Sequence, residues 1–120
     1  MKTLFTLFLF CWQAYAIEVK ESNVVDLSSS NIGTGAWVTC LTVTFGATAF
    51  DVNNQASIGV RVCDAADSTD CSDSSNTWVL AAGQGISRDR YLMSTKLHLK
   101  SLSGTGSTGY ISCSAWRVIR

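Results

Sequence analysis

Short segments in which apolar and polar residues alternate dominate this chain from residue 17 onward. The clearest is 36–45, in which every second residue from Trp37 to Phe45 would share one face. In a second, Ile58, Val60 and Val62 alternate with their neighbours. A period of two is the pattern of a β-strand, and no long stretch shows the 3.6-residue period of an amphipathic helix. The sequence therefore predicts an all-β fold.

Turn-forming residues divide the chain into these short segments. Further strands are predicted at 17–25, 76–81, 90–102 and 110–119, with turns at 28–35, 51–55, 64–75, 83–87 and 103–109, where Gly, Ser, Asn and Asp cluster. Roughly six to eight strands carry too much apolar side chain for one open sheet with an exposed face. We expect a disulfide-stabilised, two-sheet antiparallel sandwich, either a jelly roll or immunoglobulin-like.

The first 16 residues differ from the rest. Lys2 gives a basic start, 4–11 is an apolar run, and Ala14-Tyr15-Ala16 has the small residues that precede a signal-peptidase site. The apolar run is about half the roughly 20 residues that a membrane-spanning helix needs. We predict an export signal at 1–16 and a single domain at 17–120, without a membrane span. The location expected is secreted, periplasmic or cell-surface.

Four cysteines follow the predicted signal, at Cys40, Cys63, Cys71 and Cys113. An even number in an exported chain of this size indicates disulfides, because the compartment is oxidising. Of the three pairings, the spacing favours Cys63–Cys71, which closes a short polar loop, together with Cys40–Cys113, which joins distant apolar strands. A zinc site is disfavoured because no two cysteines have C-x2–4-C spacing and His98 is the only histidine.

An acidic series runs through the loop around Cys71, at Asp64, Asp67, Asp70 and Asp73. Calcium takes about six to eight oxygen ligands, so carboxylates on a constrained loop are a candidate calcium site. The spacing does not match an EF-hand, and an ordinary solvated loop is the alternative interpretation.

A basic stripe, Lys96, His98 and Lys100, is predicted on the exposed face of a strand, with Leu97 and Leu99 on the other face. It is a candidate site for an anionic polysaccharide, a phosphate-rich surface or the acidic loop of a neighbouring copy. The alternative is a solvated strand face on which lysines protect a sheet edge.

Aromatic residues supply the remaining candidates. In the last predicted strand, Tyr110, Trp116 and Val118 would share one face, and the opposite face is also apolar. Either a covering layer of the same chain or another subunit would bury the second face.

Trp78 stands beside a polar loop, where an exposed ring would suit a sugar. Packing in the core is the alternative interpretation.

Composition and motifs exclude several functions. Nine basic residues balance nine acidic ones, so bulk charge gives no support for nucleic-acid binding. No G-x-S-x-G motif is present and all four cysteines have predicted partners, so we expect no enzyme, no catalytic residue and, calcium apart, no cofactor. Two functions remain: a self-associating structural or adhesive subunit of an extracellular or surface assembly, and a lectin-like carbohydrate-binding module, with or without calcium.

Overall fold

The computed structural model describes residues 17–27, 32–72, 76–102 and 108–119. Strands account for most of the regular structure in these ranges: β1 Ile17–Asp26, β2 Val38–Thr42, β3 Ala49–Asn54, β4 Val60–Asp64, β5 Thr77–Leu80, β6 Gly85–Arg88, β7 Lys96–Ser101 and β8 Tyr110–Ile119. A 3-10 turn covers Ser68–Asp70, and no helix among the described residues is long and apolar enough to cross a membrane. The predicted all-β class is confirmed, whereas the predicted signal at 1–16 lies outside the described residues.

The strands pair as nested antiparallel hairpins. β1 pairs with β8, β2 with β7, β3 with β6, and β4 with β5. Further pairs, β3–β8 and β4–β7, join the hairpins into sheet A, ordered β1-β8-β3-β6, and sheet B, ordered β2-β7-β4-β5. A long hairpin rolled into two such sheets is a jelly roll. The predicted two-sheet sandwich is confirmed, and the jelly roll is the arrangement present.

The inner faces of the two sheets enclose the core. In β8, Ile111, Cys113 and Ala115 are buried and alternate with half-buried Ser112 and Ser114. The largest fully buried side chains come from both sheets and from the β1–β2 connection: Phe50, Ile32, Leu80, Leu97, Leu99 and Ile111. Burying one side chain of this size stabilises a fold by about 1.5–3 kcal/mol. Packing between the sheets therefore supplies stability that no isolated strand would have.

Both disulfides match the pairing that the spacing favours. Cys40 on β2 bonds Cys113 on β8 and so connects the two sheets. Cys63 on β4 bonds Cys71 and closes the loop that carries the 3-10 turn. Cys63 and Cys71 are buried with Ala65 in a second, small cluster, and the half-buried Trp37 packs against it.

Three aromatic rings also join the sheets. Phe50 of β3 lies 5.4 Å from Trp78 of β5 and 5.4 Å from Tyr91, and Trp78 and Tyr91 lie 5.8 Å apart, measured between ring centroids. Tilted and edge-on contacts of this kind bring the positive edge of one ring to the negative face of another. Because Phe50 belongs to sheet A and Trp78 to sheet B, this aromatic cluster holds the sheets together.

Two strands occupy segments in which the sequence predicts turns, and those predictions are wrong. β3 covers most of 51–55 and β6 most of 83–87. In β3, Asp51 and Asn53 face Ser114 and Ser112 of β8, whereas Val52 and Asn54 are buried. A polar outer face and a buried asparagine give this strand the composition of a turn.

β2 and β7 are both shorter than predicted. In β2 the register shifts between Thr39 and Leu41, and this bulge leaves Cys40 and Leu41, predicted on opposite faces, both buried. Asn23 of β1 donates from Nδ2 to the Cys40 carbonyl at 2.7 Å. β7 starts at Lys96. Ahead of it, the Tyr91 and Met93 N–H groups donate to the Thr48 and Ala47 carbonyls that precede β3, and the Thr95 carbonyl accepts from the Val43 N–H just after β2.

Candidate functional site

The acidic series occupies different environments. Asp64 ends β4 and is only 4% exposed, whereas Asp67 and Asp70 are exposed on the loop. Asp67 caps the 3-10 turn, and its Oδ1 accepts from the Thr69 N–H at 3.1 Å. Among the described residues, no group of three or more His, Cys, Asp or Glu side chains could hold a metal ion. Asp73 lies outside those residues, so calcium binding by the full series stays a prediction.

Asp64 instead binds the segment that connects β6 to β7. Its Oδ1 accepts from the Ser94 N–H at 2.9 Å, and its carboxylate also accepts from the Tyr91 hydroxyl. Burial raises the pKa of Asp64, and these two hydrogen bonds, with His98 nearby, offset only part of that rise. Burial, followed by the Asp64 charge, also raises the pKa of Tyr91. The residue predicted as a calcium ligand is thus an internal acceptor.

His98 is not on an exposed strand face, and that part of the predicted basic stripe is wrong. Its side chain is 3% exposed, with Nε2 3.1 Å from the Ala65 carbonyl oxygen and Nδ1 3.3 Å from Thr39 Oγ1. A carbonyl only accepts, so Nε2 donates, and in the neutral ring Nδ1 accepts from the Thr39 hydroxyl. Burial of His98 against the backbone of the β4–β5 loop explains why alternation alone misplaces it. Lys96 and Lys100 are half-buried.

Lys100 lines an open cleft of about 570 Å³, which we call the Lys100 cleft. Arg61 of β4 also lines it and is the direct cross-strand neighbour of Lys100. The Lys100 Nζ lies 5.3 Å from the ring centroid of Trp37. The other lining residues are mostly hydroxyl-bearing: Thr34, Ser68, Thr69, Ser72 and Ser101, with Cys71 and Leu102. No Asp or Glu lines the cleft in the described part of the chain.

Trp78 is not exposed, although its place beside a polar loop makes an exposed ring one of the two interpretations of the sequence. It is half-buried in the aromatic cluster with Phe50 and Tyr91, and the Arg88 guanidinium carbon lies 5.6 Å from its ring centroid. Trp78 therefore packs against the core, which is the other interpretation that the sequence left open.

β8 is not apolar on both faces. Its outer face presents Ser112 and Ser114 between Tyr110 and Trp116, and Ser114 Oγ lies 3.1 Å from Ser22 Oγ on β1. Tyr110 is 48% exposed and Trp116 is half-buried; the side chain of Val118 lies outside those described. The strand therefore alternates in the ordinary way, and its outward aromatic residues stand apart, near its two ends.

A second open cleft, of about 600 Å³, lies beside Trp116. We call it the Leu92 cleft; its lining residues are Thr48, Ala49, Asp89, Arg90, Tyr91, Leu92 and Trp116. Leu92 is 80% exposed, more than the other exposed large hydrophobic residues of the described chain. The Tyr91 and Met93 N–H groups on either side of it donate to the Thr48 and Ala47 carbonyls at 2.9 and 3.1 Å. The backbone on both sides thus holds Leu92 at the surface.

Sequence reasoning missed Arg61 and Leu92 as candidate binding residues. The proximity of Arg61 and Lys100 depends on the register between β4 and β7, which no local pattern reveals. For Leu92 a signal exists, because Tyr91-Leu92-Met93 is an apolar run without alternation at the start of a predicted strand.

Comparisons with known proteins support the fold. No protein-family model matches this chain, and no curated protein matches it significantly. A chain from Bacillus endospore appendages, described as a novel family of disulfide-linked pili, is similar with a TM-score of 0.55 and 9% identity, over 89% of this chain and 93% of that one. A chain of the cyanophage Pam1 capsid asymmetric unit gives a TM-score of 0.45 and 10% identity, over 88% and 86%. At 9% identity, the Bacillus similarity shows a shared fold alone.

Proposed function

We propose that this protein is a structural subunit that self-associates into an extracellular or surface assembly. The Bacillus chain with a similar fold belongs to an appendage, and two disulfides suit an oxidising compartment. The lectin alternative loses support, because Trp78 is packed in the aromatic cluster and Asp64 is buried.

The observation that carries this proposal is the Leu92 cleft. Leu92 is 80% exposed, and Trp116, Tyr91 and Ala49 lie around it in one concave surface. Burying a leucine stabilises a contact by about 1.5–3 kcal/mol, and aromatic residues are enriched in the buried centres of protein interfaces. A surface of this kind suits an apolar side chain from a partner.

A second copy of this chain carries a suitable occupant. Tyr110 and Val24, 48% and 56% exposed, are diagonal neighbours on β8 and β1, and we call them the Tyr110 patch. Tyr110 and Trp116 stand about 20 Å apart along β8 at roughly 3.4 Å per residue. Two different patches on one chain permit head-to-tail contact, which extends into a fibre unless the rotation closes a ring. All four cysteines in the described ranges pair within the chain, so none of these four joins one copy to the next.

Complementary variants test the contact directly. Leu92→Lys keeps the Tyr110 patch, and Tyr110→Lys keeps the Leu92 cleft, so each protein alone has only one half of the contact. We expect the wild type to form oligomers or fibres, each variant to be monomeric, and an equimolar mixture of the two to form dimers. Analytical ultracentrifugation and electron microscopy over a range of concentrations measure these states.

Val79→Lys is the matched control, because Val79 is 57% exposed on β5 of sheet B and belongs to neither patch. This variant should assemble like the wild type. A wild-type protein that stays monomeric at every concentration would reject self-association. If the Leu92→Lys variant assembled as the wild type does, the Leu92 cleft would be rejected as the contact.

A further inference from the structure

We infer that the Lys100 cleft binds an anionic saccharide, meaning a sugar that carries a sulfate or carboxylate group. The site is independent of the proposed subunit contact, because its residues lie on sheet B and the β4–β5 loop, or next to them, and none belongs to the Leu92 cleft or the Tyr110 patch.

The first argument is the positive charge of Arg61 and Lys100 in the cleft. Arg61 and Lys100 are direct neighbours on β4 and β7, an arrangement in which like charges repel. No Asp or Glu of the described chain lines the cleft beside them. An oxyanion bound between the two side chains would offset this repulsion, because guanidinium groups bind oxyanions bidentately and ammonium groups act as point charges.

The second argument is the fixed position of the groups around these cations. Trp37 packs against the buried Cys63–Cys71 cluster, and Lys100 Nζ lies 5.3 Å from its ring centroid. Ser68 and Thr69 belong to the 3-10 turn inside the same disulfide loop. A site whose groups are already held in place loses less entropy when a ligand binds.

The third argument is the shape and polarity of the cleft. Hydroxyl groups both donate and accept hydrogen bonds, as sugar hydroxyls do, and Thr34, Ser68, Thr69 and Ser72 line the walls. A volume of about 570 Å³ falls in the range of small-ligand sites. Stable protein–protein interfaces are broader than this cleft and bury about 1,000 Å² or more in total. A saccharide therefore fits these walls better than a protein segment does.

Binding is tested by calorimetry with four probes at low ionic strength. A heparin tetrasaccharide carries sulfate in addition to carboxylate, and a hyaluronan tetrasaccharide carries carboxylate alone. A dextran oligosaccharide is neutral, and a polyglutamate peptide represents an acidic protein segment. We expect binding of one or both anionic saccharides, weakened by added salt, and none of dextran. Binding of heparin alone would show that the cleft requires sulfate, whereas binding of hyaluronan would show that carboxylate suffices.

Charge-removing variants locate the site. Arg61→Gln and Lys100→Gln should each weaken saccharide binding by about tenfold or more. Lys20→Gln is the matched control, because Lys20 is an exposed lysine beside another tryptophan, with Nζ 6.0 Å from the Trp116 ring centroid. The inference would be overturned if the protein bound neither anionic saccharide, or if both cleft variants kept the wild-type affinity. It would also be overturned if polyglutamate bound more tightly than the anionic saccharides. Leu92→Lys should bind as the wild type does, so this result is separable from the fate of the subunit contact.

Discussion

The Cα atoms of Cys40 and Cys113 lie 6.3 Å apart on strands of opposite sheets. The two residues are separated by 73 positions in the chain, whereas Cys63 and Cys71 are separated by 8. The first disulfide thus restrains most of the unfolded chain and joins the sheets, while the second restrains only one loop.

Removing the long-range disulfide should cost the larger part of the stability. Loop-closure entropy predicts a loss of about 4 kcal/mol in the free energy of unfolding for Cys40→Ser with Cys113→Ser, and about 2.5 kcal/mol for Cys63→Ser with Cys71→Ser. Both double variants avoid leaving a free thiol. Urea unfolding under non-reducing conditions measures the losses, and equal or reversed losses would contradict this order.

Asp64→Asn should change how stability depends on pH. Burial raises the pKa of Asp64 in the folded state, so the fold binds this proton more tightly than the unfolded chain does. The resulting stability is fully present below about pH 4, the ordinary value for aspartate, and is lost as the pH rises through the raised pKa. Asparagine keeps an acceptor oxygen for the Ser94 N–H but carries no charge.

We therefore expect the stability of Asp64→Asn relative to the wild type to increase from pH 4 to pH 7. Denaturant unfolding across this range measures both profiles. In Tyr91→Phe the carboxylate loses a donor that lowers its pKa, so the pH-dependent loss should extend to higher pH. Parallel profiles for the wild type and Asp64→Asn would show that burying the charged Asp64 carboxylate does not lower the stability of the fold.

Asn54→Ala should destabilise the fold much more than Asn53→Ala. Asn54 is fully buried at the end of β3; its Nδ2 donates to the Ile58 and Ala81 carbonyls at 2.9 and 3.1 Å, and its Oδ1 accepts from the Ala56 N–H at 3.0 Å. Losing these three bonds should cost about 3 kcal/mol at about 1 kcal/mol each.

The neighbouring Asn53 is exposed, so its substitution should cost about 0.5 kcal/mol or less. Thermal or urea unfolding of the two variants compares a buried with an exposed asparagine in one strand. Similar losses in both would contradict the central role of Asn54.

Local patterns predict much of the architecture, but they fail where long-range contacts determine a residue's environment. The strand containing Val60 and Val62, and the last strand, are recognisable because their buried residues alternate. β3 escapes recognition because Asn54 is polar, and its bonding partners come from two other segments of the chain.

The candidate sites follow the same division. The sequence predicts that Lys96, His98 and Lys100 share one face of a strand, and that Tyr110 and Trp116 share one face of the last strand. The sequence does not predict the burial of His98 against Ala65, because this contact depends on how the β4–β5 loop packs on sheet B.

The sequence by itself determined that this protein is an all-β sandwich and which cysteine pairing is favoured, because alternation and spacing are properties of neighbouring residues along the chain. The tertiary structure alone decided that the sandwich is a jelly roll, that Arg61 stands beside Lys100, and that Leu92 remains exposed next to Trp116. The physical reason is that strand order and register bring together residues far apart in sequence, and the energetics of packing between sheets determine that order.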